Sequence, residues 1–308
     1  VLLACCVAGP VALVGLRYNP TVHTAEDPPA VEGIPAGSRI LGISAGDPAY
    51  MSSVPGPLGW PHVGQEHRER AGWSLVANVG MAHGLANLHG QTSLPLGRFI
   101  TRMFGPTAAL AYPFQEHPPY AQELLAHVGV GYVVTASGGQ MPVNPRPAFE
   151  REAESTVVHR IPTWPQARFY PMAGVDGVAS REEALAAVKR SGAIAQPLVV
   201  EGLDSTATGA VQPALATIER VSSTHFRIRA RAETPGVLLL VESWYPRWRA
   251  SSGSTELPVH VADGAFIGVP LESGEHVIDL NYDASPYVYG LPLMALGLCA
   301  VVIGLWRK

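Results

Sequence analysis

Residues 225–242, HFRIRARAETPGVLLLVE, decide the fold class. Phe226, Ile228, Ala230 and Ala232 alternate with Arg227, Arg229 and Arg231. That is the period of a strand with one face in a core and the other in water. A second apolar run, Gly236 to Glu242, follows across Thr234 and Pro235. The same texture continues outward through Ala214 to Val221, Leu257 to Val261, Ala265 to Pro270 and Glu275 to Tyr282, with turn signals between the runs. Short alternating strands with no helix among them imply an antiparallel β-sandwich, here over residues 205–288.

Upstream, residues 17–204 mix element types and form an expected α+β domain. Residues 17–75 are rich in Pro and Gly, with one strand candidate at Arg39 to Ser44. Apolar spacings of three and four between Asn78 and Phe104 suggest two short helices. Pro119 to Val128 reads as a helix feeding a strand at Gly131 to Thr135, and further strands are expected at Val157 to Ile161, Arg168 to Met172 and Pro197 to Glu201. Ser180 to Arg190 is a helix with Ser180 as N-cap and Glu183 at the capping-box position.

The two ends read differently. Val1 to Leu16 has no charged residue and covers roughly 24 Å as a helix, short of the ~30 Å hydrocarbon core, so residues 1–16 are expected to be a truncated transmembrane helix. Gly290 to Trp306 is also uncharged, with Tyr287 and Tyr289 before it and Arg307 and Lys308 after it. Aromatic residues at the interface and a basic pair beyond mark a transmembrane helix at 289–306 with a cytoplasmic C-terminus. The expected architecture is an α+β extracytoplasmic region followed by an antiparallel β-sandwich, flanked by transmembrane helices, the N-terminal one truncated. The lipid bilayer is a partner on this reading, and the location is a bacterial cell membrane.

The 308 residues are 47% hydrophobic and 15% charged, with a formal net charge of -4. Lys and Arg are scattered, so there is no electrostatic footprint for a phosphate backbone, and nucleic acid is not expected as a partner. Cys5, Cys6 and Cys299 all fall in the terminal apolar segments, which leaves no disulfide framework or thiolate zinc site between them. No P-loop, GxGxxG, HExxH, GxSxG or CxxC occurs. His62 with His67 and His83 with His89 miss the i, i+4 spacing of a helical zinc pair, so no metal is expected, nor any cofactor. Glu182 and Glu183 suit the first turn of their helix electrostatically.

Two groups remain as candidate substrate-binding residues. Glu201 and Asp204 end a strand, where a carboxylate pair can flank a sugar. Trp244, Tyr245 and Trp248 form the densest aromatic cluster, in ESWYPRWRA. Such rings stack on the C–H face of a sugar or, alternatively, pack into the core, where each buries ~150 to 250 Å². The alternation places Trp248 on the core side, with Tyr245 and Pro246 at a corner.

Several runs together resemble the YfhO family of bacterial polytopic membrane proteins, which are similar to glycosyltransferases that use polyprenyl-phosphate sugars. Leu238 to Ala250 (LLLVESWYPRWRA), Ala262 to Val269 (ADGAFIGV) and Gly274 to Tyr282 (GEHVIDLNY), followed by the apolar segment 290–306, carry the strongest likeness. Asn78 to Met81, Glu123 to Thr135, Ala167 to Pro171 and Glu183 to Leu185 add to it. Arg247 stands where the family has glycine, Gly90 to Leu94 replaces a family turn, and residues 251–254 lack the family's Asp-Gly turn. The resemblance implies the outer part of a protein that transfers sugar from a polyprenyl-phosphate carrier to a cell-envelope glycan acceptor. It assigns no catalytic residue here, because the family's acidic residue lies in a loop between N-terminal spans. The alternative is a non-catalytic, membrane-anchored carbohydrate-binding or scaffold module.

Overall fold

A computed structural model describes residues 32–35, 37–43, 85–87, 120–136, 143–144, 147–153, 156–191, 197–209, 211–222 and 224–283. The expected spans at 1–16 and 289–306, the three cysteines, and His62, His67, His83 and His89 lie outside these residues. Of the stretch from Asn78 to Phe104, where two short helices are expected, only residues 85–87 are described, and there Ala86 and Asn87 are extended, held as a strand by parallel pairing with Arg39 and Ile40 instead of forming a helix. Among the described residues no helix is long and apolar enough to cross a membrane. The described chain is β-rich, with strands in several sheets and few helices.

The first sheet is built from β1 (Arg39–Ile43), β2 (Ala86–Asn87), β4 (Val130–Ala136), β6 (Ala148–Ala153) and β7 (Thr156–Arg160) in the order β2-β1-β4-β7-β6. β3 (Tyr120–Ala121) and β5 (Val143–Asn144) form a separate parallel pair, and α1 (Gln122–His127) delivers the chain from β3 into β4. A second, seven-stranded sheet is central to the core. It comprises β8 (Ala167–Pro171), β9 (Val175–Val178), β10 (Leu198–Glu201), β11 (Ala214–Leu215), β14 (Gly236–Ser243), β17 (His260–Ala262) and β18 (Phe266–Leu271). Their order is β11-β8-β14-β18-β17-β10-β9. Only β9 and β10 pair in parallel in this sheet, joined by α2 (Arg181–Ser191), as a parallel connection requires a crossover. The third sheet, wholly antiparallel, has the order β12-β13-β19-β15-β16. Its strands are β12 (Thr217–Ser222), β13 (His225–Ala232), β15 (Trp248–Ser252), β16 (Thr255–Leu257) and β19 (Gly274–Tyr282).

Alternation along the strands explains the layering. In β13, Phe226, Ile228, Ala230 and Ala232 are buried and pack with Leu238, Leu240, Ile267 and Val269 of the central sheet and Ile278 and Leu280 of β19. Each fully buried Leu, Ile or Phe contributes about 1.5–3 kcal/mol, so this interior holds the second and third sheets face to face. On the opposite face of the central sheet, Tyr170, Leu198, Val200, Val237, Leu239 and Val241 meet Leu124, Leu125 and Val128 around α1, Val130 and Val133 of β4, and Leu41 of β1. Val199 alternates away from that interior and meets Ala184 and Val188 of α2. The helix starts as expected: the Glu183 N–H donates to Ser180 Oγ at 3.2 Å, while Glu183 Oε2 accepts from the Ala179 N–H at 2.9 Å.

Two expected runs are each split because the chain changes sheet. Ala214 to Val221 divides at Ala216, which is buried and donates its N–H to Ala167 O, so β11 stays with the central sheet and β12 joins the third. Leu257 to Val261 divides at Pro258, which has no N–H for a ladder, separating β16 from β17. Residues 248–257 form a hairpin that the runs of alternation omit, with Ser252 opposite Thr255 and Gly253 at φ 59° in the turn. Glycine takes that left-handed conformation at no steric cost. Residue 204, where the sequence suggests a boundary, falls between β10 and β11 of the same sheet.

Candidate functional site

The aromatic cluster sits where β14 leaves the central sheet and β15 enters the third. The Trp244 N–H donates to Ala265 O at 2.8 Å, holding the end of β14 to the start of β18. Tyr245 O then accepts from the N–H groups of Arg247 (2.8 Å) and Trp248 (3.3 Å), which closes the corner. Arg247 fixes that corner against β19: its Nη2 donates to Asp283 Oδ2 at 3.1 Å, and the Asp283 N–H donates back to Arg247 O at 3.0 Å. Trp248 is half-buried, not fully buried as the alternation implied. Its indole N–H donates to Ser243 O at 3.2 Å, and its ring lies 5.7 Å from Phe226 and 5.4 Å from Tyr282. The corner leaves the other part of the ring uncovered.

That uncovered surface belongs to an open cleft of ≈ 420 Å³. Trp244, Tyr245, Pro246 and Trp248 wall one side, and Leu257, Pro258 and Val259 contribute apolar surface where β16 gives way to β17. Trp244, Trp248, Leu257 and Val259 also pack on the interior between the sheets, so the wall is anchored from behind. Tyr245 is exposed and meets Tyr282 edge to face at 6.2 Å. Arg249 and Glu256 supply the charged lining among the described residues, with Arg249 Nη1 3.6 Å from Glu256 Oε1. The volume falls within the roughly 300–1,000 Å³ typical of small-molecule sites.

Glu201 and Asp204 do not line this cleft. Glu201 ends β10, and its carbonyl oxygen accepts from His260 Nδ1 at 3.0 Å. Asp204 is exposed in the loop that follows. The structure therefore brings together the three aromatic candidates and leaves the two carboxylates elsewhere.

A second polar constellation is sealed inside the protein and was not evident from sequence. His127, Arg168 and Asp263 are all fully buried. Arg168 Nη1 donates to His127 O and Nη2 to His127 Nδ1, both at 3.3 Å, while His127 Nε2 lies 3.0 Å from Asp263 Oδ2. A guanidinium can only donate, so Nδ1 is the acceptor and the ring proton on Nε2 points to Asp263. The imidazole is then neutral, bridging a cation and an anion. Asp263 also takes the Val199 N–H on Oδ1 at 3.5 Å and gives its own N–H to Val199 O at 2.8 Å. The cluster thus ties together the end of α1, β8, β10 and the β17–β18 turn. Asp263 and Gly264, with φ of 48° and 71°, are the central residues of that turn, which the Ala265 N–H closes on Ala262 O at 3.1 Å within a three-residue connection, 263–265.

Arg39 plays a similar part from β1, donating to Val128 O and to Val241 O and pairing with Glu242 at 3.5 Å. Burial holds the guanidinium groups of both Arg39 and Arg168 below their ordinary pKa, opposed by Glu242 in the first case and by Tyr170 and Asp263 in the second. Burial also pushes the Tyr170 hydroxyl up to about 12, and that oxygen has no hydrogen-bond partner among the described residues. With His127, Arg168, Tyr170 and Asp263 at or near zero exposure, this inner network positions layers and does not meet solvent. Among the described residues no group of three or more His, Cys, Asp or Glu is arranged to hold a metal ion.

No family model, curated protein or solved structure matches the chain.

Proposed function

We propose that this chain is the outer part of an integral membrane protein resembling the YfhO type, and that it contacts envelope glycan through the cleft beneath Trp244, Tyr245 and Trp248. The observation that carries this reading is the cleft itself: three aromatic side chains at one corner present ring surface beside a charged pair. The C–H face of a sugar ring packs on an aromatic plane, and the anchoring of these rings from behind keeps them from collapsing into the interior when the cleft is empty.

The resemblance supports the same place. Its strongest runs, Leu238 to Ala250, Ala262 to Val269 and Gly274 to Tyr282, fall on β14 and β15, the β17–β18 hairpin and β19, which are neighbours around this corner. On this reading residues 17–288 lie outside the bacterial membrane as an α+β region and a β-sandwich, flanking helices 1–16 and 289–306 hold them to the bilayer, and the C-terminus is cytoplasmic. The sugar on the polyprenyl-phosphate carrier or its glycan acceptor reaches the cleft, and catalytic groups belong to other parts of the full protein. The alternative of a scaffold module rests on the contacts of Trp248 with Phe226 and Tyr282.

Calorimetric titration of the full chain in detergent with envelope-derived oligosaccharides separates the two. Binding that Tyr245→Ala, at an exposed ring, weakens at unchanged thermal melting supports the glycan reading. Absence of binding by any carbohydrate would leave the scaffold. An alkaline phosphatase fusion after Lys308 should be inactive, and an active one would reverse the proposed orientation.

A further inference from the structure

We infer that the cleft selects a neutral pyranoside bearing two adjacent hydroxyls, read jointly by Arg249 and Glu256, and discriminates against anionic glycans and against the phosphate of a lipid carrier. This rests on the glycan reading above and narrows it to a ligand class.

The charge of the cleft is the first reason. Among the described residues its charged lining is one cation and one anion, Arg249 and Glu256. Arg247, the preceding arginine in the chain, is engaged with Asp283 and does not line the cleft. A uronate or phosphate entering here meets Glu256 as a like charge beside a single guanidinium. Sites built for anions instead converge several donors on the charge, commonly from arginines in a fork.

The state of the pair is the second reason. Arg249 lies on β15 and Glu256 on β16, where Glu256 is opposite Ser251, so the two are diagonal neighbours on one face of an edge hairpin. Their closest N to O distance of 3.6 Å is beyond a hydrogen bond, and their side chains are 68% and 73% exposed. The pair is loose, with guanidinium donors and carboxylate lone pairs both available. One hydroxyl donates to Glu256 Oε1 while its neighbour on the ring accepts from Arg249 Nη1, so a diol fits between the two groups without desolvating an unpaired charge. The aromatic wall meanwhile takes the apolar face of the same ring, which fixes the ligand on two sides.

The test is calorimetric titration of the full chain in detergent with three probes of equal length: a neutral hexose oligosaccharide, its uronic-acid counterpart and a phosphorylated counterpart. A fourth probe is the neutral sugar lacking one of the two adjacent hydroxyls. The neutral sugar should bind at least about tenfold more tightly than either anionic one, and the deoxy sugar should lose about tenfold, as the loss of a charge-assisted hydrogen bond does. Glu256→Gln and Arg249→Gln should each weaken the neutral sugar, and Glu256→Gln should narrow the gap to the anionic probes. Both positions are exposed on the edge hairpin, so melting curves should match the parent. Equal or tighter binding of an anionic probe overturns the inference while the glycan reading stands. So does neutral binding indifferent to both substitutions. If none of the four probes binds, the glycan reading itself falls, and the inference with it.

Discussion

Replacing Asp263 should be among the most damaging single changes in the protein, and the size of the loss can be worked out from its surroundings. The carboxylate is fully buried, accepts from His127 Nε2 at 3.0 Å, and faces the charge of Arg168 through that imidazole. Removing it leaves a buried guanidinium without a counter-charge and a buried ring N–H without an acceptor, a loss of about 3–5 kcal/mol. Asp263 also sits at φ 48°, where alanine adds about 1 kcal/mol that Asp and Asn largely escape. Asp263→Ala should therefore cost roughly 4–6 kcal/mol, a large part of an ordinary domain's 5–15 kcal/mol. Asp263→Gly sheds the backbone cost and should lose roughly 3–5. Asp263→Asn keeps the backbone preference and one carbonyl acceptor for His127, so its loss should be roughly 2–3 kcal/mol. Urea unfolding followed by circular dichroism gives these differences. The coupling is the sharper measurement: with Arg168→Met in place no buried cation needs Asp263, so the double variant should be more stable than the two single losses predict by at least about 1 kcal/mol. Additive losses, or an Asp263→Ala cost below about 1 kcal/mol, would refute the network as described.

Tyr170→Phe removes a buried hydroxyl with no partner among the described residues, so stability at neutral pH should change by less than about 1 kcal/mol or rise. Because burial raises that hydroxyl to about 12, Tyr170 gives stability that is present below the ordinary tyrosine value near 10 and lost above it; a melting series up to pH 11 should show that loss in the parent and less of it in Tyr170→Phe. The Asp279 carboxyl is held below its usual range, chiefly by the His225 hydrogen bond and then by Arg227, against burial. Its contribution is present above the ordinary carboxyl value near 4 and lost as pH falls through and below it, so Asp279→Asn should flatten the acid limb of melting temperature against pH. Trp248→Ala should cost about 2 kcal/mol by urea unfolding, less than the 3–5 of a fully buried aromatic, and Tyr245→Ala less than about 1.

What could be read from the sequence follows from how many faces of each element are covered. β13 has one face in the interior and one in water, so Phe226 to Ala232 alternates with arginine and announces itself. α2 is legible for a local reason, since Ser180 and Glu183 satisfy the first turn within a few residues. β8 is different: Ala167, Arg168, Phe169 and Tyr170 are all buried because the central sheet is covered on both sides, so no period of two survives. Its partners, β14 and β11, are distant in sequence, and nothing in ARFYP points to them. The hairpin β15–β16 escapes for the opposite reason. WRASS and TEL are mostly outside the core, and only Ala250 among them is fully buried.

The same distinction separates the two polar sites. The aromatic corner is contiguous in the chain, so ESWYPRWRA shows it directly; only the splitting of Trp248 between interior and cleft depends on the strands folded around it. The inner network joins residue 127 to 168 and 263, three positions whose residue types are ordinarily found at surfaces. Asp263-Gly264 signals a tight hairpin by itself, which explains the pair completely as far as the local chain is concerned. That the carboxylate also turns inward depends on β17 and β18 lying beside β10, where Val199 exchanges hydrogen bonds with it, and on α1 ending with His127 over the same spot. A turn residue chosen for its backbone thus serves as the counter-charge of the core. The two requirements are separable by substitution: Asp263→Asn meets the first and not the second, whereas glycine meets only the backbone condition with no side chain at all. Their difference in stability, expected at roughly 1–2 kcal/mol in favour of Asn, therefore measures what the inward hydrogen bond to His127 contributes once the charge is gone.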